Sequence, residues 1–253
     1  MVNPMDYPLL VLSASFPVFW ISTWIGGWFH ARHGHMEKDR HEDFAFVLGG
    51  ALTLLVLIIG FTFSMAVNRY DQRKNLEEEE ANAIGTEYVR ADLLPATDAT
   101  RVHEVLKRYL NQRILWYKSR NDPKLRQINV ETARLQTELW SIVTPPAAEK
   151  PTTVAALILA GMNNVLNSQG YTQASWWNRI PLGAWALLVL ISIFCNGLVG
   201  YVAQGRSGFL FMILPVVLSI SLFLIADIDS ARRGVIRTHP QNLETLAASL
   251  QSE

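Results

Sequence analysis

The sequence predicts an all-α polytopic membrane protein with four transmembrane helices and a helical insert between the second and the third. Half of its 253 residues are hydrophobic and 17% are charged, whereas an average soluble domain has about 25% charged residues. The apolar residues are concentrated in four windows, and each is long enough for a helix to cross a hydrocarbon core of roughly 30 Å. No stretch shows the alternating pattern of a β-strand.

The four windows are residues 7–29, 44–67, 180–203 and 209–228. The first has no Lys or Arg before it and is too long for a signal-peptide core, so we expect a retained helix. Cys195, the single cysteine, lies in the third window, which excludes an intramolecular disulfide and favours a small core thiol. The zero formal net charge argues against nucleic acid as a partner.

The insert between the second and third windows has helical patterns of its own. Because no Gly-Pro turn follows the second window, we expect that helix to continue to about Asp92. A further helix is expected to begin at an N-cap near Asp98 or Thr100 and to stop at residues 121–123. The next helix is expected to close at the Pro-Pro pair of residues 145–146. The apolar segment that follows is too short to span a bilayer, which favours a buried or interfacial helix.

The chain therefore divides into four parts: a first transmembrane helix pair at 1–68, a helical cytoplasmic domain continuous with span two at 69–179, a second transmembrane pair at 180–229 and a cytoplasmic tail at 230–253. Lys and Arg near the membrane ends indicate the cytoplasmic side. The larger set is Arg69, Arg73, Lys74, Arg179, Arg232, Arg233 and Arg237, against Arg32, Lys38, Arg40 and Arg206. Both termini and the insert are thus expected in the cytoplasm.

Small and polar residues form a stripe along the second span. Gly49, Thr53, Gly60, Ser64, Asn68 and Asp71 recur at three-, four- and seven-residue steps, which places them on one helix face. Lipid cannot satisfy hydroxyl or amide groups, so this face should meet protein or water. One interpretation is a packing seam between helices. The other is a pore wall shared by several copies, with Phe61, Phe63 or Met65 as a hydrophobic gate.

Charged residues flank the spans where they leave the membrane. Asp227 and Asp229 end the fourth span, Arg232 and Arg233 follow, and Arg69, Asp71 and Arg73 lie just after the second span. Ionisable groups at this depth are usually paired, so we expect salt bridges to Arg69 or Arg73 rather than direct ion binding. The glutamates at 77–80, with Glu87, are interpreted either as an acidic vestibule that concentrates cations or as a solvated helix face.

Catalytic and metal chemistry have no positive signal in the sequence. His30, His33, His35 and His41 crowd one loop, but their spacing does not match a structural zinc site, and a polar loop is the better interpretation. No nucleophile elbow, P-loop, HExxH or dinucleotide fingerprint is present. We therefore expect no catalytic residue, no metal ligand and no cofactor.

Several blocks of sequence carry a resemblance to a known family. They are residues 60–71, 80–86 and 90–95, then 227–229, 232–234 and 236–237, together with Pro181 and Gly200-Tyr201. These blocks resemble the bestrophin-like membrane family of unknown function, which is common in bacteria and distantly similar to the bestrophins. The similarity runs from about residue 44 to 237 and departs at Ser230-Ala231, where a basic residue and a proline are expected.

Bestrophins are oligomeric, typically pentameric, anion channels with helical cytoplasmic vestibules. The resemblance therefore implies a bestrophin-like fold, a pore-forming homo-oligomer and a bacterial inner membrane. The bestrophin neck places apolar residues four apart on the second span, and Phe61 and Met65 have that spacing.

The resulting expectation is a homo-oligomeric ion channel whose second span lines the pore in the lipid bilayer. Its expected pore-lining or constriction residues are Thr53, Gly60, Phe61, Ser64, Met65 and Asn68. The resemblance slightly favours anions among the inorganic ions, and the acidic run makes cations a rival. The alternative is a non-conducting membrane scaffold or sensor whose helical insert binds a cytoplasmic partner.

Overall fold

The structure, a computed structural model, describes residues 4–33, 38–120, 122–203 and 210–251. Within these ranges the chain forms eight α-helices, two short 3₁₀ turns and no strand. The helices are α1 Pro8–His33, α2 Lys38–Arg90, α3 Ala96–Lys118, α4 Asp122–Glu149, α5 Thr153–Trp177, α6 Leu182–Val202, α7 Leu210–Asp229 and α8 Gln241–Ser249, and the 3₁₀ turns are Pro4–Asp6 and Ala91–Leu93. His35, Asn121 and Arg206, which the predictions used, lie outside the described residues.

The prediction of an all-α membrane fold is confirmed. Four helical stretches of the described chain are long and apolar enough to cross a membrane: one in α1, one in α2, one that spans α5 and α6, and one in α7. The second of these helices runs without interruption for 53 residues and ends at Arg90, close to the predicted end. The chain divides into two compact units, which we call unit 1 (Met1–Tyr70 and Arg179–Arg237) and unit 2 (Asp71–Asn178 and Thr238–Glu253).

Unit 1 contains α1, the first part of α2, α6 and α7. Its buried core includes Phe19, Leu55, Leu188, Leu222 and Ile225. Helix α1 packs against both α6 and α7. Large apolar side chains remain exposed on the outer faces of these helices, as expected where the surrounding solvent is lipid.

The crossing of α1 and α6 depends on glycine. A Cβ at Gly26 would lie 1.9 Å from the carbonyl oxygen of Gly197, and a Cβ at Gly200 would lie 1.9 Å from that of Thr23. The close approach allows polar contacts between the helices: Ser22 Oγ donates to the Ile193 carbonyl oxygen at 2.6 Å. Small residues and side-chain hydroxyls are the groups that hold transmembrane helices together.

Unit 2 contains the remainder of α2 together with α3, α4, α5 and α8. Its core is aliphatic and aromatic, with fully buried side chains that include Leu106, Tyr109, Trp116, Leu139 and Met162. Helix α5 is longer than the predicted apolar segment and buries one face in this core, which fits the buried one of the two expected alternatives, a buried or an interfacial helix.

Two helix boundaries differ from the predictions. Helix α3 begins at Ala96, two residues before Asp98, and its N-cap position is Pro95, without a side-chain cap. Pro145 and Pro146 do not close α4, which continues to Glu149. Proline usually disrupts a helix, because it lacks the N–H donor and its ring crowds the carbonyl group four residues back, so the continuation of α4 past this pair departs from the local rule.

Candidate pore-lining face and its flanking charges

The polar stripe of α2 in unit 1 is exposed in the protomer. Thr53, Gly60, Ser64 and Asn68 are all exposed, and a Cβ at Gly60 would meet nothing within 4 Å. The opposite face of the helix is the packed one, with Leu55 and Ala66 buried. The stripe is therefore not sealed inside one molecule, and its neighbour is lipid, water or another protomer.

The two predicted neck residues are exposed beside this stripe. Phe61 is 63% exposed and Met65 is 40% exposed. With about 100° per residue, Phe61 is rotated by about 80° and Met65 by about 120° from the line through Thr53. Leu57, which the sequence reasoning missed, is 52% exposed and lies about 40° from the same line. The sequence offered a signal for this residue, because Leu57 is a bulky apolar side chain between two members of the stripe, Thr53 and Gly60.

The exposed line of α2 continues in unit 2 with polar residues. Asp71, Asn75, Glu78 and Asn82 are exposed and follow one another at three- and four-residue steps. Glu79 is exposed beside them, whereas the flanking glutamates of the same run are buried. The predicted acidic run therefore divides between two faces of α2. Glu78 and Glu79 are exposed to solvent, whereas Glu77 and Glu80 are buried in the core of unit 2.

Glu80 is the centre of a buried polar network. Its carboxylate accepts from Nε of Arg113, at a very short contact, and from Nη2 of the same guanidinium at 3.4 Å. The Tyr117 hydroxyl and the Thr172 hydroxyl each donate to Oε2 at 3.2 Å. The guanidinium also lies 4.7 Å from the centroid of the Trp116 ring. Burial raises the pKa of Tyr117 well above its ordinary value, so this tyrosine stays protonated as a donor.

Glu77 holds the start of α8. Its Oε1 accepts from the backbone N–H of Leu243 at 3.0 Å, and its Oε2 accepts from Asn242 Nδ2 at 2.7 Å. Helix α8 begins after Pro240 without a side-chain cap of its own, so Glu77 acts as a cap from α2. Burial raises the pKa of Glu77, and the hydrogen bonds from α8 oppose that rise.

The two aspartates in the last turn of α7 organise the turn that follows it in unit 1. Asp227 accepts from the backbone N–H groups of Val235 and Ile236 at 2.7 and 2.8 Å. A Cβ at Gly234 would lie 2.4 Å from the Asp227 carbonyl oxygen, so the turn requires glycine there. Asp229 accepts from the Ile180 N–H at 3.4 Å. The contacts of Asp227 are thus to backbone amides.

Basic residues brace the same turn. Arg179 donates to the Asp229 carbonyl oxygen and forms a 2.8 Å ion pair with Asp6. The guanidinium of Arg233 lies 4.3 Å from the centroid of the Tyr7 ring. Of the other predicted membrane-exit charges, Arg69 and Arg232 are half-buried, Arg73 is buried and Asp71 is exposed. Salt bridges of Arg69 or Arg73 with the aspartates remain a prediction.

The sequence reasoning missed the buried charges of unit 2, although a signal existed. Arg113 lies in the apolar register of α3, three residues after Leu110 and four before Tyr117. On α2, Glu77, Glu80 and Glu87 share a face with the buried Ile84. Charges in an apolar register indicate buried partners. In the described part of the chain, no group of three or more His, Cys, Asp or Glu side chains is placed to hold a metal ion.

Comparison with known proteins gives a family and a fold. The model of the Bestrophin-like domain matches residues 16–243. Two crystal structures of substituted variants of a bacterial bestrophin homolog from Klebsiella pneumoniae are similar at 14% identity. One has a TM-score of 0.66 over 99% of this chain and 98% of that chain. The other has a TM-score of 0.68 over 95% and 96%. No curated protein matches this chain at a significant level.

Proposed function

Because the chain belongs to the bestrophin-like family, we propose that it is the pore-forming subunit of a homo-oligomeric ion channel whose α2 helix lines the pore. The observation that carries the proposal is the exposed polar face of α2 in unit 1. The Ser64 hydroxyl and the Asn68 amide would be unfavourable against lipid, which offers no hydrogen-bond partner. The Thr53 hydroxyl, by contrast, already donates to the Gly49 carbonyl oxygen at 2.9 Å. Several protomers that turn this face toward a common axis would surround it with water.

The proposed assembly follows from one pore-lining helix per subunit. A monomer or a dimer cannot enclose an axial pore with one helix from each copy. The resemblance to bestrophins suggests five protomers in the bacterial inner membrane. We further propose that both termini and unit 2 lie in the cytoplasm, from the distribution of Lys and Arg.

Apolar side chains on α2 supply the proposed constriction. Phe61 and Met65 are exposed, four residues apart, and Leu57 is exposed one turn earlier. Rings of such residues gate pores by excluding water. Because the three differ in their angle around the helix axis, their relative effects on ion flux report which way α2 is rotated.

The exposed charges of α2 in unit 2 favour cations. Asp71, Glu78 and Glu79 are exposed against the single exposed base Lys74 on this part of the helix. Rings of carboxylates raise the local concentration of cations and repel anions. We therefore propose cation conduction, in place of the anion preference that the resemblance suggests.

Ion flux from proteoliposomes tests the channel proposal. Wild-type protein is compared with Leu57→Ala, Phe61→Ala and Met65→Ala. Phe194→Ala serves as the control, because Phe194 is 57% exposed on α6 rather than α2. Widening the constriction is expected to raise flux several-fold in at least one α2 variant, whereas the control should match the wild type.

Two results would reject the proposal. One is flux at background level in the wild type and in every variant. The other is a monomer or dimer in detergent and in the membrane. An intact higher oligomer without flux would leave the scaffold or sensor interpretation.

A further inference from the structure

Glu87 is a buried carboxyl group of unit 2 without a hydrogen-bond partner. It lies on α2, its side chain is 1% exposed, and neither carboxyl oxygen has a donor among the described residues. Glu77 and Glu80, which are buried on the same helix, each receive donors. A charge buried without a partner is costly, because nothing replaces its hydration.

The carboxyl group lies against a glycine of α5. A Cβ at Gly161 would be 1.9 Å from Oε2 of Glu87 and 2.7 Å from Nη1 of Arg90. Any other residue at position 161 would displace these side chains. Gly161 has no side chain that ionises or donates, so α5 gives the carboxyl group a tight apolar contact.

Apart from Arg90, the charged groups near Glu87 contact partners other than its carboxyl group. Arg90, one turn further along α2, is the charge that acts on the carboxyl group. On α3, His103 contacts an α2 carbonyl oxygen at 2.9 Å and lies 3.4 Å from Asp92 of the 3₁₀ turn. Lys107 lies 5.5 Å from the centre of an α2 aromatic ring, and Tyr109 donates to an α5 carbonyl oxygen at 3.5 Å. The environment of Glu87 is therefore dominated by desolvation.

Desolvation places the titration of Glu87 near neutrality. Burial raises its pKa from the ordinary 4.5 to about 7, and the positive charge of Arg90 opposes that rise. A small change of pH in this range alters the charge of a group that is wedged between two helices.

We propose that Glu87 is a proton-operated switch in unit 2, whose deprotonation loosens the packing of α5 on α2. With the proton bound, the neutral carboxyl group stays buried against Gly161. Without it, the carboxylate gains hydration when the two helices separate. Resting on the proposed function, the same event on the pore-lining helix makes ion flux depend on pH.

The direction of the effect follows from proton linkage. The packed state binds the proton more tightly than an opened state in which Glu87 has its ordinary pKa. Packing is therefore most stable below the ordinary pKa and weakens as pH rises toward the raised pKa. Above the raised pKa, the free-energy penalty for packing the ionised carboxylate no longer changes with pH.

Hydrogen–deuterium exchange of the full chain in lipid nanodiscs tests the switch. After correction for intrinsic amide exchange, amides of α5 around Gly161 are expected to exchange on the order of tenfold faster at about pH 8 than at about pH 5.5. Glu87→Gln, which is neutral and similar in shape, is expected to keep α5 protected at both pH values. Glu104→Gln, an exposed glutamate of α3, should show the same pH dependence of α5 exchange as the wild type.

A second variant and a second readout make the test decisive. Gly161→Ala should displace the Glu87 carboxyl group and give fast, pH-independent exchange in α5. Ion flux should depend on pH in the wild type and not in Glu87→Gln. Exchange of α5 that is pH-independent in the wild type, or that stays pH-dependent in Glu87→Gln, would overturn the proposal. Absent flux with the expected exchange pattern would reject the channel function and leave the switch standing.

Discussion

Three buried glutamates on one face of α2 have three different environments. Glu80 faces a guanidinium and two hydroxyls, Glu77 faces backbone and amide donors of α8, and Glu87 faces Gly161. A carboxylate in an apolar core is tolerated according to the donors that it receives. The first two are therefore held by donors from other helices, whereas the third has no donor among the described residues.

Removal of Arg113 should destabilise unit 2 strongly. Arg113→Met leaves the Glu80 carboxylate buried without its cation, which costs about 3–5 kcal/mol. Adding Glu80→Gln should restore much of this, because the amide still accepts from Tyr117 and Thr172. The midpoint of chemical unfolding in detergent, followed by fluorescence of the buried Trp116 and Trp176, measures the change. Arg134→Met, in an exposed ion pair, is the control and should leave the midpoint unchanged.

Loss of the Glu77 cap should release α8. Glu77→Ala removes the acceptor for the Leu243 N–H group, and caps of this kind contribute about 0.5–2 kcal/mol. Limited proteolysis is expected to cleave the segment from Thr238 to Ser249 faster in this variant. Glu78→Ala, an exposed neighbour, should leave the cleavage rate at the wild-type level. Equal rates in all three proteins would contradict the capping role.

At the scale of elements, the crossing of α1 and α6 is fixed by backbone contact. Gly26 and Gly200 each lie against a carbonyl oxygen of the other helix, and Thr23 Oγ1 donates to Asn196 Oδ1 at 3.3 Å. In a bilayer, where burial of apolar area adds little, such close packing and hydrogen bonds hold helices together.

Substitution of Gly200 should force these two helices apart. In Gly200→Ala the new Cβ would lie 1.9 Å from the Thr23 carbonyl oxygen, and overpacking of this kind costs about 1–3 kcal/mol or more. The thermal midpoint of the detergent-solubilised protein should fall. Gly183→Ala is the matched control on α6, because nothing lies within 4 Å of its Cβ position. An unchanged midpoint in Gly200→Ala would show that the crossing relaxes without cost.

At the scale of the whole molecule, α2 is one helix of 53 residues whose first part belongs to unit 1 and whose remainder belongs to unit 2. Its exposed line is small and polar in unit 1 and acidic in unit 2. In an oligomer with α2 at the axis, the acidic part would form rings along the proposed ion path. Charge selectivity then belongs to the assembly and not to one protomer.

Neutralising the acidic line should reduce the preference for cations. Asp71→Asn combined with Glu78→Gln removes one negative charge at two levels in every subunit, so the cation-to-anion permeability ratio should fall several-fold. Reversal potentials across planar bilayers under a salt gradient measure this ratio. Glu104→Gln, an exposed glutamate of α3, should leave the ratio unaltered. A double variant with the wild-type ratio would remove this line from the ion path.

The sequence by itself determined the all-α class, the four spans and the position of the polar stripe on α2, because lipid demands long apolar windows and helical periodicity reveals any polar interruption. That this stripe is exposed in the protomer was decided by the structure. The sequence also indicated where α2 ends. Only the tertiary structure decided the fate of the charges: Glu78 and Glu79 are exposed while Glu77, Glu80 and Glu87 are buried. Which face of a charged helix is covered depends on the elements that pack on it, and those contacts come from residues distant in the chain.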